Sequence, residues 1–536
     1  MRGSTFPGRR FPTGRAGRTG APTRAVAAVV ALAVVGALTA CGADGSSSDA
    51  YGPELAYDGP VAPQEGLPAP VDGQEEYDDS PEQPFQDVTT SPLSTFASDV
   101  DTASYSNLRR QLRQGVAPEG VRIEELVNYF DYDYPAPGPG ADDPFTVTTQ
   151  VADAPWAPGH QLAMIGVQAT AAKPTSRGNN VVFLLDVSGS MDEPDKLPLL
   201  ADSFALLVEQ LDEDDTVSIV TYAGSEQVLA DSVPGDRREE LVGILRDLEA
   251  GGSTGGARGL ETAYELATKN FVEGGNNRVV LATDGDFNVG PSTAEELTGL
   301  IEEHARTGVY VSVLGFGMGN LKDSTMEAIA DHGNGNYAYI DTLQEARKVL
   351  VDEFDSTMFV VAQDLKVQVE LNPATVAQYR LLGYDNRRLE DEEFDDDTKD
   401  AGDVGAGHAV TAFYEIVPAD GETDGGTDDL DYQDVETGRS DDFLTVHVRY
   451  KQPGAAESTE VVFPARADAY TSRPSSDFRF ASAVVEFGLT VAGSEHAEDA
   501  DARRARARAE AALGEDPYGL RSEFVGLIDT YLEIDA

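Results

Sequence analysis

The stretch VVFLLDVSGS, residues 181–190, decides how the centre of this chain folds. Its first five residues are apolar and mostly β-branched or large, and turn-forming residues follow, which is the pattern of a buried strand. The strand ends on Asp186, and Ser188 and Ser190 occupy the next alternate positions. Open α/β sheets bind their ligands at the carboxyl ends of strands. One carboxylate and two hydroxyls suit a hard cation such as Mg²⁺, so the stretch predicts a metal site at a sheet edge.

Two later segments supply further oxygen ligands. The glycine-rich loop GGSTGG, residues 251–256, presents Thr254, and a second apolar strand over residues 279–283 runs into Asp284. Asp-x-Ser-x-Ser, a loop threonine and a later Thr-Asp-Gly resemble the metal-ion-dependent adhesion site of von Willebrand factor type A (VWA) domains, over residues 176–354. The metal ligands that this resemblance implies are Asp186, Ser188, Ser190, Thr254 and Asp284. The expected cation is Mg²⁺, with Mn²⁺ or Ca²⁺ as alternatives.

Strand and helix patterns alternate around these motifs. Strands are expected near residues 181–185, 217–222, 279–283 and 309–316, with helices near residues 197–211, 239–248, 257–271 and 294–307. This alternation predicts an α/β fold whose central sheet is doubly wound, mostly parallel and covered by helices on both faces. Right-handed crossovers bring the loops after the strands to one edge, so ligands far apart in sequence can share one ion.

The segments on either side of this domain have different patterns. Period-two alternation over residues 365–371, 409–417 and 443–450 predicts an antiparallel, β-rich domain. LSTFASDVDTASY, NPATV and DAGDVGAGH, at residues 93–105, 372–376 and 400–408, resemble flanking regions of a family of bacterial VWA lipoproteins. The predicted divisions after the first 84 residues are an N-terminal region (85–145), flanking strands (146–175), the VWA domain (176–354), a β-rich domain (355–470) and a C-terminal helical segment (471–536).

The N-terminus has the layout of an export signal. Six arginines precede an apolar stretch over residues 25–40, which is short for a membrane span. This stretch ends in LTACG, which resembles a bacterial lipobox, so residues 1–40 are expected to be a lipoprotein signal peptide and Cys41 the lipidated residue. Cys41 is the single cysteine of the chain, so it has no internal disulfide partner. Residues 41–84 are acidic and rich in Gly and Pro, which predicts a flexible linker.

The charge balance limits the partners. The 536 residues carry a formal net charge of −56. Such a field repels phosphate backbones and anionic headgroups, so nucleic acid is excluded as a partner. A hydrophobic content of 40% favours folded domains over a disordered chain.

Catalytic motifs fit poorly. Residues 251–255 match Gly-x-Ser-x-Gly, but the nucleophile elbow needs a preceding strand, and residues 246–250 look like a helix end. A P-loop would need Lys followed by Ser or Thr after its last glycine, where Ala257 stands. The acidic Asp99-Val100-Asp101 predicts a capped turn, residues 390–397 predict a solvated loop, and His408 a surface or loop histidine. The chain is therefore not expected to be an enzyme or to have a small-molecule substrate.

Two functions follow from these expectations. In the first, an extracytoplasmic protein, lipid-anchored to the cell membrane, uses its ion to capture a protein that presents Asp or Glu. In the second, the chain is a structural or assembly factor of a cell-envelope complex, and the ion mainly supports its fold.

Overall fold

The computed structural model describes residues 81–138, 141, 143–171, 178–253, 256–285, 294–317, 323–399, 401–419, 442–455, 457–497 and 499–534. The expected signal peptide, Cys41, Thr254 and all but the last four residues of the expected linker lie outside the described residues.

Strands and helices are numbered here in chain order, within the described residues. The strands are β1 (Gln86–Asp87), β2 (Leu93–Ala97), β3 (Phe145–Asp153), β4 (Gln161–Ala169), β5 (Asn179–Asp186), β6 (Thr216–Tyr222), β7 (Glu226–Pro234), β8 (Asn276–Thr283), β9 (Val309–Phe316), β10 (Tyr337–Ile340), β11 (Val360–Leu371), β12 (Val376–Leu382), β13 (Arg388–Leu389), β14 (Val404–Gly405), β15 (Ala409–Pro418), β16 (Leu444–Lys451) and β17 (Ser458–Ala465). The helices are α1 (Ala103–Arg113), α2 (Ile123–Asn128), α3 (Leu197–Gln210), α4 (Arg238–Arg246), α5 (Gly256–Lys269), α6 (Ala294–Arg306), α7 (Asp323–His332), α8 (Leu343–Arg347), α9 (Phe354–Met358), α10 (Ser476–Ala492), α11 (Ala502–Glu510) and α12 (Leu520–Ile534).

The central sheet has the strand order β10-β9-β8-β5-β6-β7. Its neighbouring strands are parallel except for the edge pair β6–β7, which is antiparallel. The sheet is doubly wound because the chain moves from β5 outward through β6 and β7, then crosses to the other side of β5 to form β8, β9 and β10. The predicted α/β fold class is confirmed. The strand order of the central sheet reverses between β5 and β8.

Helices cover both faces of the central sheet because its inner strands are apolar on both sides. In β5, Phe183 faces α3, where its ring lies 4.7 Å from that of Phe204 in an edge-to-face contact. Leu184 points to the opposite face and belongs to the cluster that contains Leu260 and Tyr264 of α5. All eight residues of β5 are buried. The strand that carries Asp186 is therefore held from both sides.

The segments before and after this domain in the sequence form two antiparallel sheets. One antiparallel sheet has the order β1-β12-β15-β4-β3 and a second has the order β13-β2-β11-β16-β17. Their inner faces pack together, as shown by the rings of Phe145 on β3 and Tyr450 on β16, whose centroids are 5.2 Å apart. Alternation along β15 directs Val410, Ala412 and Tyr414 into this interior. The two sheets form a β-sandwich.

Helices α1, α2, α10, α11 and α12 form a third layer on the outer face of the first sheet. Phe413 of β15 faces them, with its ring 5.9 Å from that of Phe478. Phe480 lies at the centre of this layer, 4.9 Å from Phe130 and 5.8 Å from Phe524 between ring centroids. The helical C-terminus therefore packs on the β domain and on the helices that precede the VWA domain. Among the described residues, no helix combines the length and apolar character that a bilayer crossing requires.

The sandwich joins segments that the sequence analysis assigned to separate divisions. β2 pairs with β11, so that Phe96 lies opposite Val367. β4 pairs with β15 along most of its length. The VWA domain, which contains β5 to β10, is thus inserted in the sequence between two parts of one sandwich. Patterns within a strand do not reveal a partner more than 200 residues away, and for this reason the linear divisions do not follow the sheets.

Candidate metal centre

Asp186 and Asp284 lie at the point where the strand order of the central sheet reverses. Asp186 is the last residue of β5, and Asp284 directly follows β8. The two strands are parallel neighbours, with Leu185 opposite Ala282, so both carboxylates emerge at the same sheet edge. Open sheets of this kind bind their ligands at the carboxyl ends of the strands, where the strand order reverses. Both aspartates are almost fully buried, with 0% and 1% of their surface exposed.

A tight turn after β5 places the two serines next to Asp186. The Ser188 amide donates a 2.9 Å hydrogen bond to Asp186 Oδ1, and the Thr283 hydroxyl lies 3.3 Å from Oδ2. A short 3₁₀ turn over Gly189–Met191 follows. It brings the Ser188 and Ser190 hydroxyl oxygens within 2.9 Å of each other. The structure therefore brings together Asp186, Ser188, Ser190 and Asp284, four of the five predicted ligands.

The glycine-rich loop is hydrogen bonded to this turn. The Gly251 amide donates to the Val187 carbonyl over 2.8 Å, and the Gly189 amide donates to the Gly252 carbonyl over 3.1 Å. Gly252 has a φ of +91°, and a Cβ there would lie 3.2 Å from the Gly224 amide nitrogen. The loop thus needs glycine both for its backbone angle and for its close contact with the next loop. Thr254 lies outside the described residues, so its role as a ligand stays a prediction.

Sequence reasoning missed Lys196. Its ammonium nitrogen donates a 3.0 Å hydrogen bond to Asp284 Oδ2, and the two side chains are 5% and 0% exposed. The signal available in the sequence was a lysine six residues after Ser190, directly before the apolar helix α3. Because that helix packs on the sheet beside β5, a residue at its start lies near the ends of the strands. Nothing in the spacing, however, shows which carboxylate the lysine contacts.

Burial and charge make the centre favourable for a cation. Burial raises the pKa of Asp186 to about 6, the negative charge of Asp284 adds to this increase, and hydrogen bonds from Ser188 and Tyr222 oppose it. An ionised Asp186 is thus poorly stabilised by its own surroundings, and a bound cation supplies the missing positive charge. In the described part of the chain no three His, Cys, Asp or Glu side chains form a metal-binding group. Carboxylate and hydroxyl oxygens suit a hard ion, and the donor set fits Mg²⁺.

A cleft lies beside the centre and reaches solvent. Its volume is about 460 Å³, and its walls include Val187, Gly252, Leu229 and Glu249. Leu229 is 38% exposed although it is apolar. The face of the VWA domain next to Val187 is therefore concave and accessible, as a ligand-binding surface requires.

Other predicted features have clear structural positions. The Asp101 amide donates to Asp99 Oδ1 over 3.0 Å, which confirms the capped turn, and both carboxylates also lie 3.5 Å from Arg387. Residues 390–397 are largely exposed, as expected for a solvated loop, and include a short 3₁₀ turn, Asp391–Asp395, capped by Glu390. His408 lies in a loop but is half-buried, and burial lowers its pKa to about 4.

The chain matches three family models. A model described as von Willebrand factor type A domain matches residues 180–353, and one described as von Willebrand factor matches residues 71–164. A model described as uncharacterized protein YfbK, C-terminal, matches residues 356–534.

Relatives extend these matches to most of the chain. YfbK of Escherichia coli (strain K12) is 40% identical over 472 residues, which is 85% of this chain and 81% of that protein. Inter-alpha-trypsin inhibitor heavy chain H3 of Homo sapiens is 28% identical over 178 residues, which is 30% of this chain and 19% of that protein. A solved structure, von Willebrand factor type A from Catenulispora acidiphila, is 17% identical, covers 70% of this chain and 88% of its own, and superposes with a TM-score of 0.40.

Proposed function

Because the chain belongs to the YfbK family of proteins with a central VWA domain, we propose that it is a recognition module that binds a divalent cation and captures a carboxylate on another protein. The cation is Mg²⁺, with Mn²⁺ or Ca²⁺ as alternatives. The partner presents Asp or Glu to the ion. VWA domains mediate protein–protein interactions, which supports the general class of this proposal.

The observation that carries the proposal is the convergence of four oxygen-bearing side chains at one sheet edge. Asp186, Ser188, Ser190 and Asp284 come from two separate loops, and their hydrogen bonds hold them in place. A divalent ion bound there would act as a Lewis acid toward an incoming carboxylate. The side chains of the chain and their hydrogen bonds orient the donors.

The exposure of the centre favours an external ligand over a purely internal one. Ser190 is half-buried, and Gly189 between the two serines is exposed. The adjoining cleft offers apolar and polar walls to the residues that flank the partner's carboxylate. An ion that served only the fold would not need this open side.

The proposal includes a location. Cys41 carries a lipid after removal of residues 1–40, and the folded part lies outside the cytoplasm. A linker of roughly 40 residues has a flexible-chain reach of about 35–40 Å. This distance lets the recognition face reach partners beyond the immediate membrane surface.

The test compares Asp186→Asn with Asp202→Asn, an exposed aspartate on α3. Titration calorimetry with Mg²⁺ and Mn²⁺ should show one site in the wild type and in Asp202→Asn, and no site in Asp186→Asn. Capture from a cell-envelope extract should require the metal, be reversed by chelator and be lost only in Asp186→Asn.

Two results would contradict this function. A wild type that binds neither ion would remove its basis. Unchanged capture by Asp186→Asn, together with a large loss of thermal stability in Mg²⁺, would show that the ion serves the fold and would support the structural or assembly role.

A further inference from the structure

Lys196 places a fixed positive charge inside the candidate metal centre. Its ammonium is 3.0 Å from Asp284 Oδ2 and is almost completely removed from solvent. Lysine is rarely buried to this extent unless its charge has a partner. Among the residues that the structure describes, the charged groups at the centre therefore include an ammonium beside the two carboxylates.

The backbone fixes the position of this lysine. The Lys196 amide donates to the Glu193 carbonyl over 3.0 Å, and its own carbonyl accepts from the Leu200 amide over 2.8 Å as the first turn of α3 forms. Lys196 is thus the N-cap residue, directly before the first residue of α3. Its side chain starts from a rigid point that also packs against the sheet.

Gly317, directly after β9, confines the side chain from the other side. A Cβ at Gly317 would lie 2.2 Å from Cγ, 2.7 Å from Cδ and 2.5 Å from Cε of Lys196. Gly317 also has a φ of +72°, which favours glycine. The methylene groups of Lys196 fill the space that any other residue at position 317 would occupy. The ammonium is therefore held against Asp284.

The charges then decide what the loaded centre attracts. Two carboxylates and a divalent ion would be neutral together, but with the ammonium these described groups carry one net positive charge. We propose that Lys196 is a specificity-determining residue that weakens cation binding and strengthens binding of an anionic ligand to the loaded centre. This inference rests on the proposed function and deepens it, because it explains why the ligand is a carboxylate. One carboxylate from the partner restores neutrality.

If Lys196 served only as a structural counterion of Asp284, its removal would change ligand binding in a different way. Its removal would then loosen Asp284 and weaken the binding of both the cation and the anion. The electrostatic role predicts changes of opposite sign. Removal of the positive charge should strengthen cation binding, since Coulomb repulsion across a few ångströms is significant even at an effective dielectric constant of about 20.

The experiment uses Lys196→Met, which keeps an unbranched apolar side chain, and Lys269→Met as the control on an exposed lysine. Mn²⁺ affinity is measured by calorimetry. Acetate is then titrated into the Mn²⁺-loaded protein and followed by water-proton relaxation. In Lys196→Met, Mn²⁺ should bind about tenfold more tightly and acetate about tenfold more weakly, and Lys269→Met should match the wild type.

A second variant keeps the inference testable if Lys196→Met does not fold. Asp284→Asn adds one net positive charge to the loaded centre, so at saturating Mn²⁺ it should bind acetate more tightly and Mn²⁺ more weakly. The double variant Lys196→Met with Asp284→Asn returns to the original net charge and should regain acetate affinity near that of the wild type.

The outcomes separate the two proposals. The role of Lys196 would be overturned if Lys196→Met lost affinity for both Mn²⁺ and acetate, or changed in neither, in an experiment in which the wild type binds Mn²⁺. A wild type that binds no Mn²⁺ would instead overturn the proposed function itself.

Discussion

Two buried polar clusters in this protein are built differently. Around Arg109, on α1, every guanidinium nitrogen donates: Nε to Asp341 over 2.8 Å, Nη2 to Glu345 over 2.7 Å and Nη1 to Glu523 over 3.0 Å. Tyr129 donates to the same Glu345 oxygen over 2.7 Å. At the metal centre, by contrast, the buried Lys196 pairs with Asp284, and burial raises the pKa of the neighbouring Asp186 to about 6.

The difference indicates what each cluster does. The Arg109 cluster joins the helical layer to Asp341 and Glu345 of the VWA domain, and its groups satisfy one another. The metal centre has an excess of negative charge on side chains held rigidly in place. Buried charges that serve structure are paired, whereas a site for an external ion needs donors whose charge is not balanced internally. Four variants can break or sharpen this comparison.

Arg109→Ala should have the largest effect. It leaves Asp341 and Glu345 buried without their cation, and loss of one partner from a buried charge cluster costs about 3–5 kcal/mol. Urea denaturation should show a corresponding fall in the free energy of unfolding. The control is Arg113→Ala, which removes a half-exposed arginine that also contacts Glu523 and should cost less than about 1 kcal/mol. Equal costs in the two variants would mean that the cluster is not a structural link.

Glu124→Gln should change the pH dependence of stability. Glu124 is 2% exposed, and burial, with Asp99 nearby, raises its pKa to about 7 from an ordinary value of 4.5. The folded protein therefore holds this proton more tightly than the unfolded chain, and stability falls as pH rises from about 4.5 to 7. The change attributable to Glu124 should be about 3 kcal/mol and should be absent in Glu124→Gln. Denaturation at pH 5 and pH 8 measures it, with the exposed Glu119→Gln as the control. A pH dependence in Glu124→Gln identical to that of the wild type would contradict this assignment.

Gly317→Ala should displace Lys196 from Asp284. Gly454 provides a matched control, because its φ is +78°, close to the +72° of Gly317, but a Cβ there would meet nothing within 4 Å. Alanine at either position carries the cost of a positive φ, about 1 kcal/mol. Gly317→Ala should cost about 1 kcal/mol more, since it also breaks a buried ion pair. Melting temperatures of the two variants test this difference, and equal shifts would show that Lys196 has room to move.

Asp186→Asn should have the smallest effect on stability in the absence of metal. Above pH 6 the wild-type Asp186 is ionised, and burial disfavours its charge in the folded state. The variant should therefore be as stable as the wild type or more stable by about 1 kcal/mol at pH 7.5 with chelator. Thermal denaturation with and without Mg²⁺ checks this point. A strongly destabilised Asp186→Asn in chelator would place the centre in the same class as the Arg109 cluster.

The sequence predicted the VWA domain closely because its signals are local. Strand β9 begins and ends where the pattern placed it, at residues 309–316, and α3 differs by one residue from the predicted range. Asp186, Ser188 and Ser190 lie within five residues of one another, so their convergence follows from one strand and one turn. Asp284 could be added because parallel strands end at a common edge.

Contacts between distant segments could not be predicted in this way. The pairing of β2 with β11 joins residues more than 260 positions apart, and strand patterns specify only that a partner exists. Lys196 was missed for a similar reason. Its partner Asp284 is 88 residues away, and only the packing of α3 on the central sheet brings them together.

The central claim is that these side chains form one site for a divalent cation. Anomalous diffraction at the manganese edge, from crystals of the full folded chain soaked in Mn²⁺, tests it most directly. We expect a single strong peak bounded by Asp186, Ser188, Ser190 and Asp284, and also by Thr254. A peak elsewhere, or none at saturating Mn²⁺, would contradict the claim.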